Sequence, residues 1–208
     1  MFKRERAVGL SISAYVLSKM TVLGLIVIYQ AVVYMAISTA NQHGPANAVV
    51  LGWPLGELIV AAFLTGLAAV ALGLMCSALV SSVNAAIALL PILILLQLMT
   101  MQGGIFSGKK PVLHELGYVS SAGWGFAAQA STVRLNNLQS LWNVAQQVNT
   151  IDLERPDNLV AALTHPSHGN PHWNHEPGAW LRAVAALLIL TAAGLAIAML
   201  ALRRFDPL

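Results

Sequence analysis

Charge is what this sequence has least of. Of 208 residues, 11 are Lys or Arg and 8 are Asp or Glu, 9% in all, against about 25% in an ordinary soluble domain. Hydrophobic residues make up 57%. A water-soluble fold of this size could not cover so much apolar side chain with so few charges, so lipid is the expected solvent. The net charge of +3 is small. The basic residues sit mostly near the ends of apolar segments, a pattern of membrane orientation rather than of nucleic-acid binding. One cysteine, Cys76, lies inside an apolar run, which excludes an internal disulfide and reads as a small buried hydrophobe. Catalytic signatures are also missing. There is no Gly-rich loop ending in Lys-Ser or Lys-Thr, no HExxH and no GxSxG, so the sequence offers no means of ATP hydrolysis and no protease or esterase centre. No cleavage-site pattern of a secretory leader follows the charged start.

What the sequence has is long apolar runs. A spanning helix needs about 20 mostly apolar residues. Four segments qualify, at about 20–40, 55–80, 83–101 and 183–202. Helices satisfy their own backbone in lipid, which open sheets cannot do. The expected fold is therefore all-α, a polytopic bundle of four transmembrane helices. Lys3, Arg4, Arg6 and Lys19 precede the first span and Arg203 and Arg204 follow the last, while residues 41–54 hold no Lys or Arg. Both termini are expected in the cytoplasm, with 41–54 and 102–179 outside. Spans two and three should form a hairpin about Ser81 and Ser82.

Between the spans the pattern is mixed. Residues 1–19 carry Val8, Ile12 and Tyr15 at helical spacing, interrupted by serines, and read as a cytoplasmic amphipathic helix at the membrane surface. The outer region 102–179 is long for a loop and should carry structure of its own. Its part from Val112 to Ala130 is half apolar and suits a re-entrant or interfacial pair of short helices. Leu135, Leu138, Trp142, Ala145 and Val148 then suggest a short amphipathic helix capped by Ser131. The last unit, 180–208, is the final span with a short tail.

Several residues stand out within this plan. Ala61, Thr65, Ala69, Gly73, Ser77 and Ser81 recur every four residues in the second span, a small-residue stripe suited to close helix packing. Pro91 should kink the third span. Gln97 and Gln102, near the outer end of that span, can bond to a neighbouring helix. Glu57, beside Trp53 and Pro54, reads as an interfacial, solvated acid, and Arg182 as a side chain snorkelling beside Trp180. His165, His168, His172 and His175 could bind zinc or copper, but no cysteine joins them and Pro166, Gly169 and Pro171 prevent a helical ligand face. No metal is expected there.

Four stretches resemble a known family. Arg4 to Lys19, with Arg4, Glu5, Arg6, Gly9, Ser13, Tyr15 and Lys19, is similar to the cytoplasmic connecting helix of ABC transporters of the white/G subfamily. The run Gly66 to Phe106, with "GLMCSALVSS", "ALLPILILLQL" and "QGGIF", resembles that family's fourth and fifth spans. "YVSSAGWGFAA", Tyr118 to Ala128, looks like its re-entrant segment, and "HWNHEPGAWL" resembles the entry to its sixth span in bacterial fused ATPase–permease proteins. The resemblance implies the permease part of a dimeric, ATP-driven exporter in the plasma (inner) membrane, moving an amphipathic or lipid-like substrate. The family's ATPase domain and first two spans have no counterpart here. Partners implied are an ABC ATPase domain or subunit carrying ATP and Mg, a second permease copy, and membrane lipid; this chain itself should bind no cofactor. Arg4, Glu5, Arg6, Tyr15 and Lys19 would couple to the ATPase. Tyr118, Gly123, Trp124, Gly125 and Phe126 would form an outer lid. Two other readings stand beside this one: a truncated, non-transporting remnant, and a membrane protein with a metal-binding histidine loop.

Overall fold

A computed structural model of the chain describes residues 11–40, 44–45, 47–80, 82–100, 117–138 and 170–204. Every element in them is helical: α1 (Ile12–Thr39), α2 (Pro54–Leu79), α3 (Val83–Thr100), α4 (Ser121–Thr132), a 3-10 turn (Pro171–Trp173) and α5 (Pro177–Arg204). Three of these, α1, α2 and α5, are long and apolar enough to cross a membrane, and α3 is a shorter apolar helix. At 1.5 Å per residue they measure about 42, 39 and 42 Å, and α3 about 27 Å. Large apolar side chains face outward all along them, among them Leu25 at 66%, Ile37 at 71% and Ile189 at 67% exposed. Such a surface belongs in hydrocarbon.

The helices begin where local chemistry allows. Ser11 caps α1, its hydroxyl accepting from the Ala14 N–H at 3.3 Å. Pro54 occupies the first turn of α2, where a missing N–H costs nothing. Ser120 caps α4 by accepting from the Gly123 N–H at 3.2 Å. Nothing between Ser11 and Thr39 breaks the helical backbone, so residues 12–19 are the first two turns of the span itself and not a separate surface helix. Ser131 lies inside α4 and is not the expected cap. α4 ends at Thr132, and Arg134 beyond it takes a left-handed φ of 56° before a helical turn resumes at 135–138.

The core is built on α2, which packs against α5, α4 and α1, while α3 leans chiefly on α4. The buried residues of α2 are Gly56, Glu57, Leu58, Ala61, Leu64, Ala68, Ala71 and Ala78. From Glu57 through Ala61, Leu64 and Ala68 to Ala71 they recur at alternating steps of four and three, with Ala78 two turns further on. The expected stripe of strict fours departs from this face. Each step of four turns 400°, overshooting a full turn by about 40°, so a row that starts on the core at Ala61 winds away from it. Ala69 and Ser77 are exposed, and a side-chain carbon added at Gly73 would meet nothing within 4 Å. Ser81 lies outside the described residues.

Small residues do bring the helices together, at other places. A carbon added at Gly66 would lie 2.5 Å from Val27 of α1, and one at Gly194 would lie 3.2 Å from the backbone of Ala71. These are the closest seams of α2 with α1 and α5. Gly194→Leu should force those two helices apart, against rigid backbone. We expect it to destabilise the detergent-solubilised protein by about 1–3 kcal/mol, the usual range for overpacking, read as a lowered Tm. An unchanged Tm would contradict this α2–α5 seam.

Candidate functional site: a half-depth helix and its clamp

α4 is too short to cross a membrane, at about 18 Å. It lies against the end of the bundle where α2 and α5 begin and α1 and α3 finish. Two contacts fix its placement. Gly125 faces Thr65, so closely that an added carbon would lie 2.1 Å from the threonine oxygen. Thr132 donates its hydroxyl to Glu57 at 3.2 Å. Glu57 to Thr65 is eight residues and Thr132 to Gly125 is seven, so the helices run antiparallel in matched register. The N-terminal end of α4 therefore reaches about 18 Å down α2 from Glu57, just over half of a hydrocarbon layer of about 30 Å. Of the short helices expected between Val112 and Ala130, re-entrant or interfacial, the described residues hold α4; residues 112–116 lie outside them.

The face of α4 toward α2 is small and buried. Ala127 and Ala128 are fully covered, and with Trp124 they join Ala61, Leu64, Ala68, Trp173, Trp180, Ala183 and Leu187 in one cluster. Its other contacts are polar. At the deep end Ser121, fully buried, donates to Gln97 of α3 at 3.3 Å, a bond between neighbouring helices of the kind expected of that glutamine. Gly117 and Gly123 pack against the carbonyl oxygen of Thr100. At the rim the Ser131 hydroxyl donates to the Asn174 carbonyl at 2.7 Å. Asn136 donates to the Asn170 carbonyl and the Asn174 side chain at 3.0 Å each, and accepts from the Asn170 N–H at 3.1 Å. The 3-10 turn is thereby fastened across the end of α4.

Glu57 is the centre of this end. It is fully buried, not solvated at an interface as its neighbours Trp53 and Pro54 suggest. Its carboxylate accepts from the backbone N–H of Val49 at 2.8 and 2.9 Å, of Leu51 at 2.8 Å, of Val50, and from Thr132. Every partner is a donor, which suits two acceptor oxygens and nothing else. One side chain thus ties three pieces of chain: the turn at 49–51, the start of α2, and the end of α4. Gly52, with a φ of 69°, closes that turn. Arg182, by contrast, turns back to its own helix, donating to the Gly178 carbonyl at 2.9 Å.

The other singled-out residues are distributed as follows. Tyr118, Gly123, Trp124, Gly125 and Phe126 are brought together in and beside α4. The Trp124 indole donates to the Tyr118 carbonyl at 2.9 Å, and Phe126 meets Trp173 edge-on at 5.4 Å. His172 packs its ring edge-on to Trp124 at 5.4 Å and Tyr118 at 6.3 Å. The Nδ1 of His175 lies 2.9 Å from the Ser131 carbonyl. These two histidines thus serve separate contacts, and among the described residues no group of three metal-ligating side chains occurs. His165 and His168 lie outside the described residues, as do Arg4, Glu5, Arg6 and Gln102. Lys19 sits 5.7 Å over the ring of Tyr15 one turn earlier. Pro91 lies within a continuous α3. Gly73 and Ser77 line an open groove of about 190 Å³ between α2 and α3, with Cys76, Ala86, Leu89, Leu90 and Leu93.

Removing the clamp should be costly. Glu57→Ala removes the charged acceptor of three backbone N–H groups at 49–51, and a hydrogen bond to a charged group contributes about 1.5–3 kcal/mol, with Val50 and Leu51 at the low end because they are exposed. Thr132→Val removes one hydroxyl bond, worth about 1 kcal/mol. The expected order of Tm in detergent is wild type, then Thr132→Val, then Glu57→Ala well below both. Equal Tm values for wild type and Glu57→Ala would contradict the clamp.

The three long apolar helices and the shorter fourth agree with what comparison with known proteins finds. The ABC-2 type transporter family matches residues 1–132, which include α1, α2, α3 and all of α4. The chain is also 32% identical over 193 residues to an ABC transporter ATP-binding/permease protein of Mycobacterium tuberculosis. That match covers 92% of this chain and 20% of the relative, so the chain spans about a fifth of the protein it resembles. No solved structure matches. The chain belongs to the ABC-2 type transporter family, as membrane-spanning permease sequence.

Proposed function

We propose that the chain is the membrane part of an ATP-driven exporter of the white/G kind, moving an amphipathic or lipid-like substrate across the plasma membrane. The observation that carries this reading is α4, a half-depth helix held over one end of the bundle by Glu57 and Gly125. Such a helix closes the outer half of a pathway while leaving the inner half open to the lipid and cytoplasmic side. In an exporter it is the part that must yield when substrate leaves. Both chain ends would be cytoplasmic, consistent with α1 and α5 sharing the end opposite α4. The basic residues at 3–6 and 203–204 support that orientation.

Energy has to come from elsewhere. An ABC ATPase domain or subunit would bind ATP and Mg, and two permease copies would form the complete pathway. The name of the mycobacterial relative joins ATP-binding and permease functions, which supports such a partner. Closure of the ATPases would reach the spans through the first turns of α1, where Tyr15 and Lys19 lie, and through Arg4, Glu5 and Arg6 before them. Since residues 12–19 are continuous with the span, a push on them tilts α1 as a rod. The bundle would then rock between two packings, one with α4 seated on α2 and one with it lifted.

In the complete transporter, Glu57→Gln tests this lid. An amide keeps the size of the side chain but turns a donor toward the N–H groups of 49–51. We expect substrate export in proteoliposomes to fall about tenfold, the result of shifting the lid equilibrium by about 1.4 kcal/mol, with ATP binding unchanged. Wild-type export would contradict the lid assignment.

A further inference from the structure

The half-depth helix is fastened at both ends, and the two fastenings differ in what surrounds them. At the rim, Glu57 holds Thr132 and the N–H groups of 49–51, where Val50 is 42% and Leu51 52% exposed. Water can take over those N–H groups when the carboxylate lets go. The deep end has no such substitute. Gln97 stands about 21 Å along α3 from Val83, so its bond with Ser121 lies well inside a hydrocarbon layer of about 30 Å. A bond between helices at that depth has no water to replace it.

The fit at the deep end is also close. Ser121, fully buried, donates to the Gln97 side chain at 3.3 Å. A carbon added at Gly117 would lie 3.2 Å from the Thr100 carbonyl oxygen, and one at Gly123 would lie 3.5 Å from it. That oxygen belongs to the last turn of α3, whose carbonyls have no partner within their own helix. Among the described residues of α3, Thr100 alone is buried. Elsewhere α3 is held loosely. It packs chiefly on α4. Toward α2 its Ala86, Leu89, Leu90 and Leu93 line the open groove, and a carbon added at Gly73 on the far wall would meet nothing within 4 Å.

We propose that Gln97 is a positioning residue, which fixes α3 to the deep end of α4 so that α3 travels with the lid when Glu57 releases it. The rim is the end that lets go, because water replaces what it loses. The deep end is the joint that holds. The groove between α2 and α3 then changes width with the lid, since α3 is one of its walls. α3 travels with the lid only if the lid moves, so this inference rests on the lid reading above and adds the element that moves with it.

Spin labels on Ile94→Cys, Val119→Cys and Ile189→Cys test it pairwise in a Cys76→Ser background, with the full chain in lipid nanodiscs. The three positions are 58%, 63% and 67% exposed and report on α3, the deep end of α4 and the body of the bundle. Glu57→Gln should shift both the Val119–Ile189 and the Ile94–Ile189 distances by a few ångström and leave Ile94–Val119 unchanged. Thr132→Val, a milder release of the same clamp, should give the same pattern at smaller amplitude. Adding Ser121→Ala, or Gln97→Met in its place, should return Ile94–Ile189 to its wild-type value while Val119–Ile189 stays shifted. A shifted Val119–Ile189 distance with Ile94–Ile189 unchanged overturns the joint and leaves the lid standing. Joint movement that survives both Ser121→Ala and Gln97→Met overturns the role of Gln97. Wild-type distances at all three pairs in both Glu57→Gln and Thr132→Val overturn the lid reading, and the joint with it.

Discussion

A single carboxylate organises the end of the bundle on which the functional reading depends. Fully buried at the start of α2, the Glu57 carboxylate accepts hydrogen bonds from two other pieces of chain, the turn at 49–51 and the end of α4. Remove it, and the turn at 49–51 loses its acceptor, α2 loses the anchor of its first turn, and the end of α4 loses its polar hold on the central helix. The apolar contacts of α4 with Ala61, Leu64 and Ala68 would remain, but they are non-directional. The clamp and the Gly125–Thr65 approach set the register, so that α4 stops at one depth rather than sliding along α2.

The fold was legible because lipid imposes a simple rule. Long apolar runs with few charges must be helices, and four of them follow from the sequence within a few residues at most ends. The exceptions are the start of α5, at Pro177 rather than about 183, and the start of α1, at Ile12 rather than about 20. Serines interrupt the apolar pattern there, but in the structure Ser18 and Thr21 bond to their own helix, so they do not break it. The small-residue stripe shows a different limit. A spacing of four is close enough to the helical period to catch the eye, yet it drifts. Thr65 packs on Gly125, while Ala69, Gly73 and Ser77 face away from the core.

The candidate site was legible in pieces and not as a whole. Tyr118 to Ala128 stand out from sequence, and the structure gathers them in and beside α4, packed against α2. Glu57 does not stand out. Beside Trp53 and Pro54 it looks like an ordinary first-turn acid at an interface, because its partners are backbone N–H groups and a threonine 75 positions away. Backbone donors leave no mark in a sequence. The available signal was the rarity of acids in apolar segments, which makes any one of them worth pursuing.

The most direct test of the clamp is amide hydrogen exchange of the wild-type chain in lipid nanodiscs, followed at Val49, Val50 and Leu51. The account predicts that these three N–H groups exchange as slowly as the first turns of α2, because each is bonded to a buried carboxylate. Exchange at the rate of an open loop would contradict it, and with it the seating of α4 on which the proposed function rests.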